Sequence, residues 1–206
     1  MTHSTYVAAS ANHAWAQAVQ THASLATGGS LDPVAVPDPR LCVEPDERGV
    51  MVLDRSYGLD YSRYAAAPPP PRSSNAVSVV GTPGFVASVM MMQTVQHWHN
   101  GARIARHCAP QWRNADLVCT VITSHRLWCW LAGGPAGDLW MRFDYRDVAR
   151  IDLAGKSLTL QLLRGMDPLR LTGDWAPMCA VVLAHLLYGP GATAALPTLS
   201  QLAFAG

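Results

Sequence analysis

From residue 116 to residue 172 the chain places an apolar residue at every second position, in six short runs, and one apolar helical pattern closes the series. Strict alternation makes a strand with one buried face. The runs put Leu117, Cys119 and Val121 on one face of the first strand and Leu127, Cys129 and Leu131 on one face of the second. Leu139, Met141 and Phe143 share a face of the third. Residues 148–153 form a fourth, Leu158, Leu160 and Leu162 mark a fifth, and Leu169 and Leu171 a short sixth. Turn chemistry separates them: Thr123-Ser124-His125, residues 133–137 (GGPAG), Gly155-Lys156 and Gly165-Met166-Asp167. Asp174 is placed to cap the last helix, with Pro177 in its first turn and Trp175, Met178, Val182, His185 and Leu186 as its apolar stripe.

Half of the 206 residues are apolar and only 14% are charged, so a sizeable core is available and some apolar surface needs a cover. Residues 1–111 carry 7 basic and 7 acidic side chains, and residues 112–206 carry 8 and 7. Neither half is a polybasic surface, which argues against nucleic acid as a partner. Lys156 is the single lysine, and the Arg- and Ala-rich usage is that of a GC-rich genome, as in actinobacteria. The five cysteines are odd in number and lack C-x-x-C spacing. They read as free thiols in a reducing cytoplasm, two of them in core strands. MTHSTYVAAS has no basic or long apolar region, so no signal peptide is expected. Residues 76–92 are the strongest membrane-spanning candidate, but they are short and interrupted by Gly, Pro and Ser.

Residues 3–26 predict an amphipathic helix stopped by Gly28-Gly29, and residues 30–40, with three prolines, a linker. Residues 44–49 read as a turn into a strand over residues 50–54. Residues 57–64 extend that strand or pair with it. Residues 65–74 (AAAPPPPRSS) are a stiff connector, a reading preferred over a proline-rich ligand. Thr82-Pro83 starts a helix that runs to Cys108 before Pro110, with a break signal at Asn100-Gly101.

Three stretches carry a family resemblance. Glu44-Pro45-Asp46-Glu47-Arg48 precedes the strand at residues 50–54. Residues 121–127 (VITSHRL) contain a T-x-x-R-L corner, and residues 168–173 (PLRLTG) lead into the closing helix. With the strand at 140–148, these resemble bacterial pleckstrin-homology-like (PH-like) or GRAM-like domains, in particular those of actinobacterial proteins. The resemblance covers residues 41–64 and 112–189. It implies an α+β fold: a half-barrel of about seven antiparallel strands in two near-orthogonal sheets, plugged by a C-terminal helix. Residues 1–40 would be a helical extension, residues 65–111 an insertion containing the 83–108 helix, and residues 190–206 a tail. Phosphoinositide-binding members carry several basic residues near the first two strands. Here Arg48, Arg55, Arg63 and Arg113 are offset by Glu44, Asp46, Glu47 and Asp54.

The hairpin over residues 126–144 carries the strongest functional signal. If its loop is centred on Pro135, Trp130 faces Trp140, Trp128 faces Arg142 and Arg126 faces Asp144, all on the face opposite the apolar row. That aligns an aromatic pair, a cation–π pair and an ion pair. The row is either ordinary cross-strand pairing covered by one of the two helices, or a contact surface, where Trp and Arg are favoured. A one-residue slip would disperse it.

His97, His99, His107 and Cys108 suggest a metal cluster on paper. On a helix, residues two apart point about 200° apart, and His97 and Cys108 lie roughly 16 Å apart along the axis. Zinc ligands sit about 2 Å from one ion, so no metal is expected. Met90-Met91-Met92 reads as core or interface filler, and Gly81-Thr82-Pro83-Gly84 lacks the residues of a phosphate loop. No G-x-S-x-G, H-E-x-x-H or G-x-G-x-x-G occurs, and no cofactor is expected.

The expectation is a non-enzymatic binding or scaffold module for a protein partner or a second copy. Its contact surface would be Arg126, Trp128, Trp130, Trp140 and Arg142. A partner helix would carry Phe85, Val86, Val89, Met90 and Met92. The alternative is peripheral membrane association through residues 79–92, but residues 73–102 hold no Lys or Arg to attract lipid. An enzyme of unstated type is the third reading.

Overall fold

The structure, a computed structural model, describes residues 3–66, 108–134, 137–189 and 199. They form an α+β fold with an open antiparallel sheet of eight strands and two helices. The elements are α1 (His3–Ala26), β1 (Gly49–Asp54), β2 (Asp60–Ala65), β3 (Gln111–Thr123), β4 (Arg126–Gly134), β5 (Gly137–Asp144), β6 (Val148–Ala154), β7 (Ser157–Leu162), β8 (Leu169–Thr172) and α2 (Ala176–Tyr188). The expected 83–108 helix, with Phe85, Val86, Val89, Met90 and Met92, and the expected tail from residue 190 lie outside the described residues, apart from Cys108 and Leu199.

The chain divides into two compact units, residues 1–63 with 113–206, and residues 64–112. In the second, Tyr64 and Trp112 meet edge to face with centroids 5.5 Å apart. In the sheet, β3-β4-β5 is one meander and β6-β7-β8 another. The strand order is β5-β4-β3-β2-β8-β7-β6, with β1 also on β3. The stretch β1–β2 serves both meanders. It is broken by a tight turn at Arg55–Tyr57, where the Asp54 carboxylate accepts from Ser56 N at 2.8 Å and Ser56 Oγ at 2.6 Å. That redirection gives residues 60–63 to β8, with Tyr61 opposite Leu171, whereas β1 pairs with β3.

The helix α1 ends in a Schellman motif. Gly29 N donates to Ser24 O at 2.8 Å and Gly28 N to Leu25 O at 3.3 Å, with Gly28 left-handed at φ +92°. A helix apolar all round needs cover all round. Every residue of α2 from Ala176 to Ala184 is buried, and the helix packs on β6 and β7 and also on α1. The expected single stripe on α2 is therefore too narrow, because α1, whose Ala14, Ala18 and Leu25 are buried, packs on it as well. Asp174 does not cap α2. The N-cap is Trp175, and the Asp174 carboxylate instead pairs with Lys156 at the β6–β7 turn. Leu158 and Leu160 of β7 and Leu169 and Leu171 of β8 are fully buried, together with Ile122, Leu127 and Ile151, whereas Leu162 at the end of the β7 row is partly buried.

Residues 34–40, within the 30–40 stretch expected as a plain linker, are part of the fold and lead into Leu41. Val34 bridges Gly49, its N–H donating to Gly49 O at 2.9 Å, and Leu41 is buried. The backbones approach so closely that a Cβ on Gly49 would stand 2.5 Å from Val34 O.

Candidate functional site

The β4–β5 hairpin has the register that the sequence predicts: Arg126 opposite Asp144, Trp128 opposite Arg142, Trp130 opposite Trp140. Trp130 and Trp140 stack at 5.6 Å with planes 24° apart, and Trp128 meets the edge of Trp140 at 6.4 Å. The three indoles are half-buried over a small core of Leu41, Cys119 and Val121, flanked by Val36 and Val52. Trp128 Nε1 donates to Leu41 O at 3.0 Å. The described cover over this row is thus the 36–41 segment, not α1, which packs on α2.

One expectation about this face is corrected. Leu117 belongs to the main core, while Cys119 and Val121 belong beneath the indoles. A bulge between Leu117 and Cys119 inserts a residue and turns the alternation over, bringing Ile122 into the main core instead. On β5, Leu139 was expected to point inward and is 51% exposed. Arg142 is 47% exposed at its side chain and reaches Asp144 at 3.3 Å.

Arg126 is held differently from the indoles, with its side chain only 5% exposed. It sits where the 44–48 turn meets the β3–β4 corner. Ser124 N donates to Arg48 O at 2.8 Å and Arg48 N to Ser124 Oγ at 3.2 Å. The Arg126 guanidinium pairs with Glu44 at 2.7 Å, Asp144 at 3.3 Å and Glu47 at 3.4 Å. The Glu47 side chain has no exposure. Its carboxylate accepts from Val43 N at 2.8 Å, Glu44 N at 3.3 Å and the Thr123 hydroxyl. Thr123 Oγ1 in turn accepts from Arg126 N at 3.0 Å, and Tyr145 OH donates to Thr123 O at 2.7 Å. Burial, with Glu47 and Cys179 nearby, holds the Tyr145 hydroxyl well above its ordinary range. The T-x-x-R pair and the E-x-x-E pair are thus two halves of one polar keystone. Sequence reading used both as fold markers and missed that they meet, because 76 to 82 residues separate the partners.

A pocket of about 380 Å³ opens beside this network, lined by Ser124, His125, Tyr145, Arg146 and Leu186 among others. Glu44, Asp46 and His125 bring three ligand-type atoms within 4.8 Å of one another. Glu44 already holds a guanidinium there, and a second cation would meet that charge at close range. Cys119, Cys129 and Cys179 are buried free thiols. Burial pushes Cys119 up to about 11 and Cys179 up to about 12, and raises Cys129 further, so none is a thiolate nucleophile near neutral pH.

Among the described residues no helix is long and apolar enough to cross a membrane. What fold and site define is an α+β domain built on an open antiparallel sheet, with an indole row on one hairpin. No protein-family model matches the chain, and no curated protein is significantly similar to it.

Proposed function

We propose that this chain is a non-enzymatic PH-like module that binds a protein partner through the β4–β5 face. The observation that carries the reading is the Trp130–Trp140 pair stacked across β4 and β5, half-buried, with Arg142 exposed on the same face and Leu139 exposed on the other face of the edge strand. Partly covered indoles next to an arginine are the composition of interface hot spots. The PH-like part is supported by topology. Among the described residues, counting β1–β2 as one broken strand shared by the two meanders gives seven strands followed by one helix.

A phosphoinositide role is disfavoured by the fate of the basic residues. Arg55 is taken by Asp116 at 2.5 Å and Arg63 lies 3.9 Å from Asp167. The keystone carboxylates, engaged by Arg126, and the raised thiols weigh against an enzyme. The buried free thiols favour a reducing compartment, the cytoplasm.

The test is a photo-crosslinking residue in place of Leu139 in living cells, with the same residue in place of exposed Lys156 as control. The reading expects a discrete protein adduct at 139 and none at 156. Lipid adducts at 139, or no preference between the sites, would overturn it.

A further inference from the structure

The strand β5 is terminal in the strand order, and among the described residues its one strand neighbour is β4. An edge strand presents a row of backbone N–H and C=O groups toward its open side. Asp138, Trp140 and Arg142 share one face of it, Leu139 and Met141 the other. Deepening the protein-binding reading above, and resting on it, we infer that the partner is a second copy of this chain, paired antiparallel edge to edge through β5 with its twofold axis at Trp140.

The register follows from symmetry and charge among the centres, residues 139–142, that keep at least five residues of β5 paired. Antiparallel pairing of identical edges keeps the same face up in both copies, so only centres that fall on a residue are allowed. Centred on Met141, Asp138 would stand opposite Asp144. Centred on Arg142, two arginines would face each other. Centred on Leu139, Asp138 would lie opposite Trp140 and Arg142 would fall beyond the strand, leaving both charges without a counter-ion. Centred on Trp140, Asp138 of each copy stands opposite Arg142 of the other, Leu139 opposite Met141, and Trp140 opposite Trp140. Opposite-charge and aromatic cross-strand pairs are the favourable ones. The indole stack of each hairpin then continues into the other copy.

The groups required are accessible. Asp138 is exposed and its one described hydrogen bond is a 3.3 Å contact from Gly133 N. Arg142 can leave Asp144 without stranding it, because Arg126 at 3.3 Å and Arg146 at 3.5 Å still pair with that carboxylate.

Sedimentation velocity of the full chain over a concentration series tests this, on wild type, Asp138→Arg, Arg142→Asp and the double swap Asp138→Arg/Arg142→Asp. A melting curve accompanies each protein. Expected is a wild-type dimer weakened by roughly tenfold or more in each single variant, since two pairs reverse sign at once. The swap should restore the dimer toward wild type. A wild-type monomer, or a dimer indifferent to the single changes, overturns the pairing. In that event, a protein adduct at position 139 of another mass leaves the protein-binding reading standing, and its absence removes both.

Discussion

Replacing Arg126 by methionine should be among the most damaging single changes in the chain. The side chain is nearly fully buried and pairs with three carboxylates, of which Glu47 has no exposure and Asp144 is 13% exposed. Glu44 is half exposed, so its share is small. Removing the guanidinium leaves Glu47 as a buried charge held by two backbone amides and the Thr123 hydroxyl. Breaking a buried pair from one side costs about 3–5 kcal/mol. For a chain of this size each kcal/mol moves the melting temperature by about 2–4 °C, so Arg126→Met should melt roughly 6–20 °C below wild type. Urea titration gives the free energy directly. A double-mutant cycle with Glu47→Gln isolates the coupling, because the double variant removes both charges and should be less unstable than the two single losses together. A melting temperature for Arg126→Met within about 2 °C of wild type would refute the keystone argument.

Other outcomes follow from the same geometry. Ellman's reagent on the native protein at pH 8 should leave Cys119, Cys129 and Cys179 unreacted, and denaturant should release all five thiols. Because burial raises Cys119 to about 11 and Cys179 and Tyr61 to about 12, the folded state holds these protons longer than the unfolded chain does. Their stabilisation is complete below about pH 9 and lost as pH rises toward 11–12, which urea titrations across that range should show as falling stability. Trp128→Phe removes the bond to Leu41 O, and should cost about 0.5–1.5 kcal/mol and expose residues 34–41 to limited proteolysis. Gly49→Ala must push a methyl against Val34 O, costing roughly 1–3 kcal/mol by urea titration.

The two meanders were legible because alternation is a local property. The Leu158, Leu160 and Leu162 row and the 126–144 register needed only neighbouring residues and a loop centre. Where long-range packing decides, the sequence was silent. The bulge after Leu117 has no residue signature of its own, yet it moves Cys119 and Val121 under the indoles. The all-round burial of α2 depends on α1 docking from over 150 residues away in the chain. Asp174 has the right residue type for a cap, but its ion pair with Lys156 wins. Residues 30–40 look like a linker by their prolines, and only the close pass of Val34 at Gly49 makes their second half a cover. Of the candidate site, the indole row and its pairs could be read directly. The burial of Arg126 could not, because its partners come from the distant 44–47 turn.

The most direct test of the central claim is the solution mass and melting temperature of the wild type beside Trp130→Thr/Trp140→Thr. Pairing of two copies through this surface predicts a wild-type mass of twice 22.2 kDa, reduced to a single chain in the variant, with the melting temperature lowered by less than about 10 °C. An unchanged mass together with a fall of more than about 10 °C would place the indoles in the protein's own core and contradict the account.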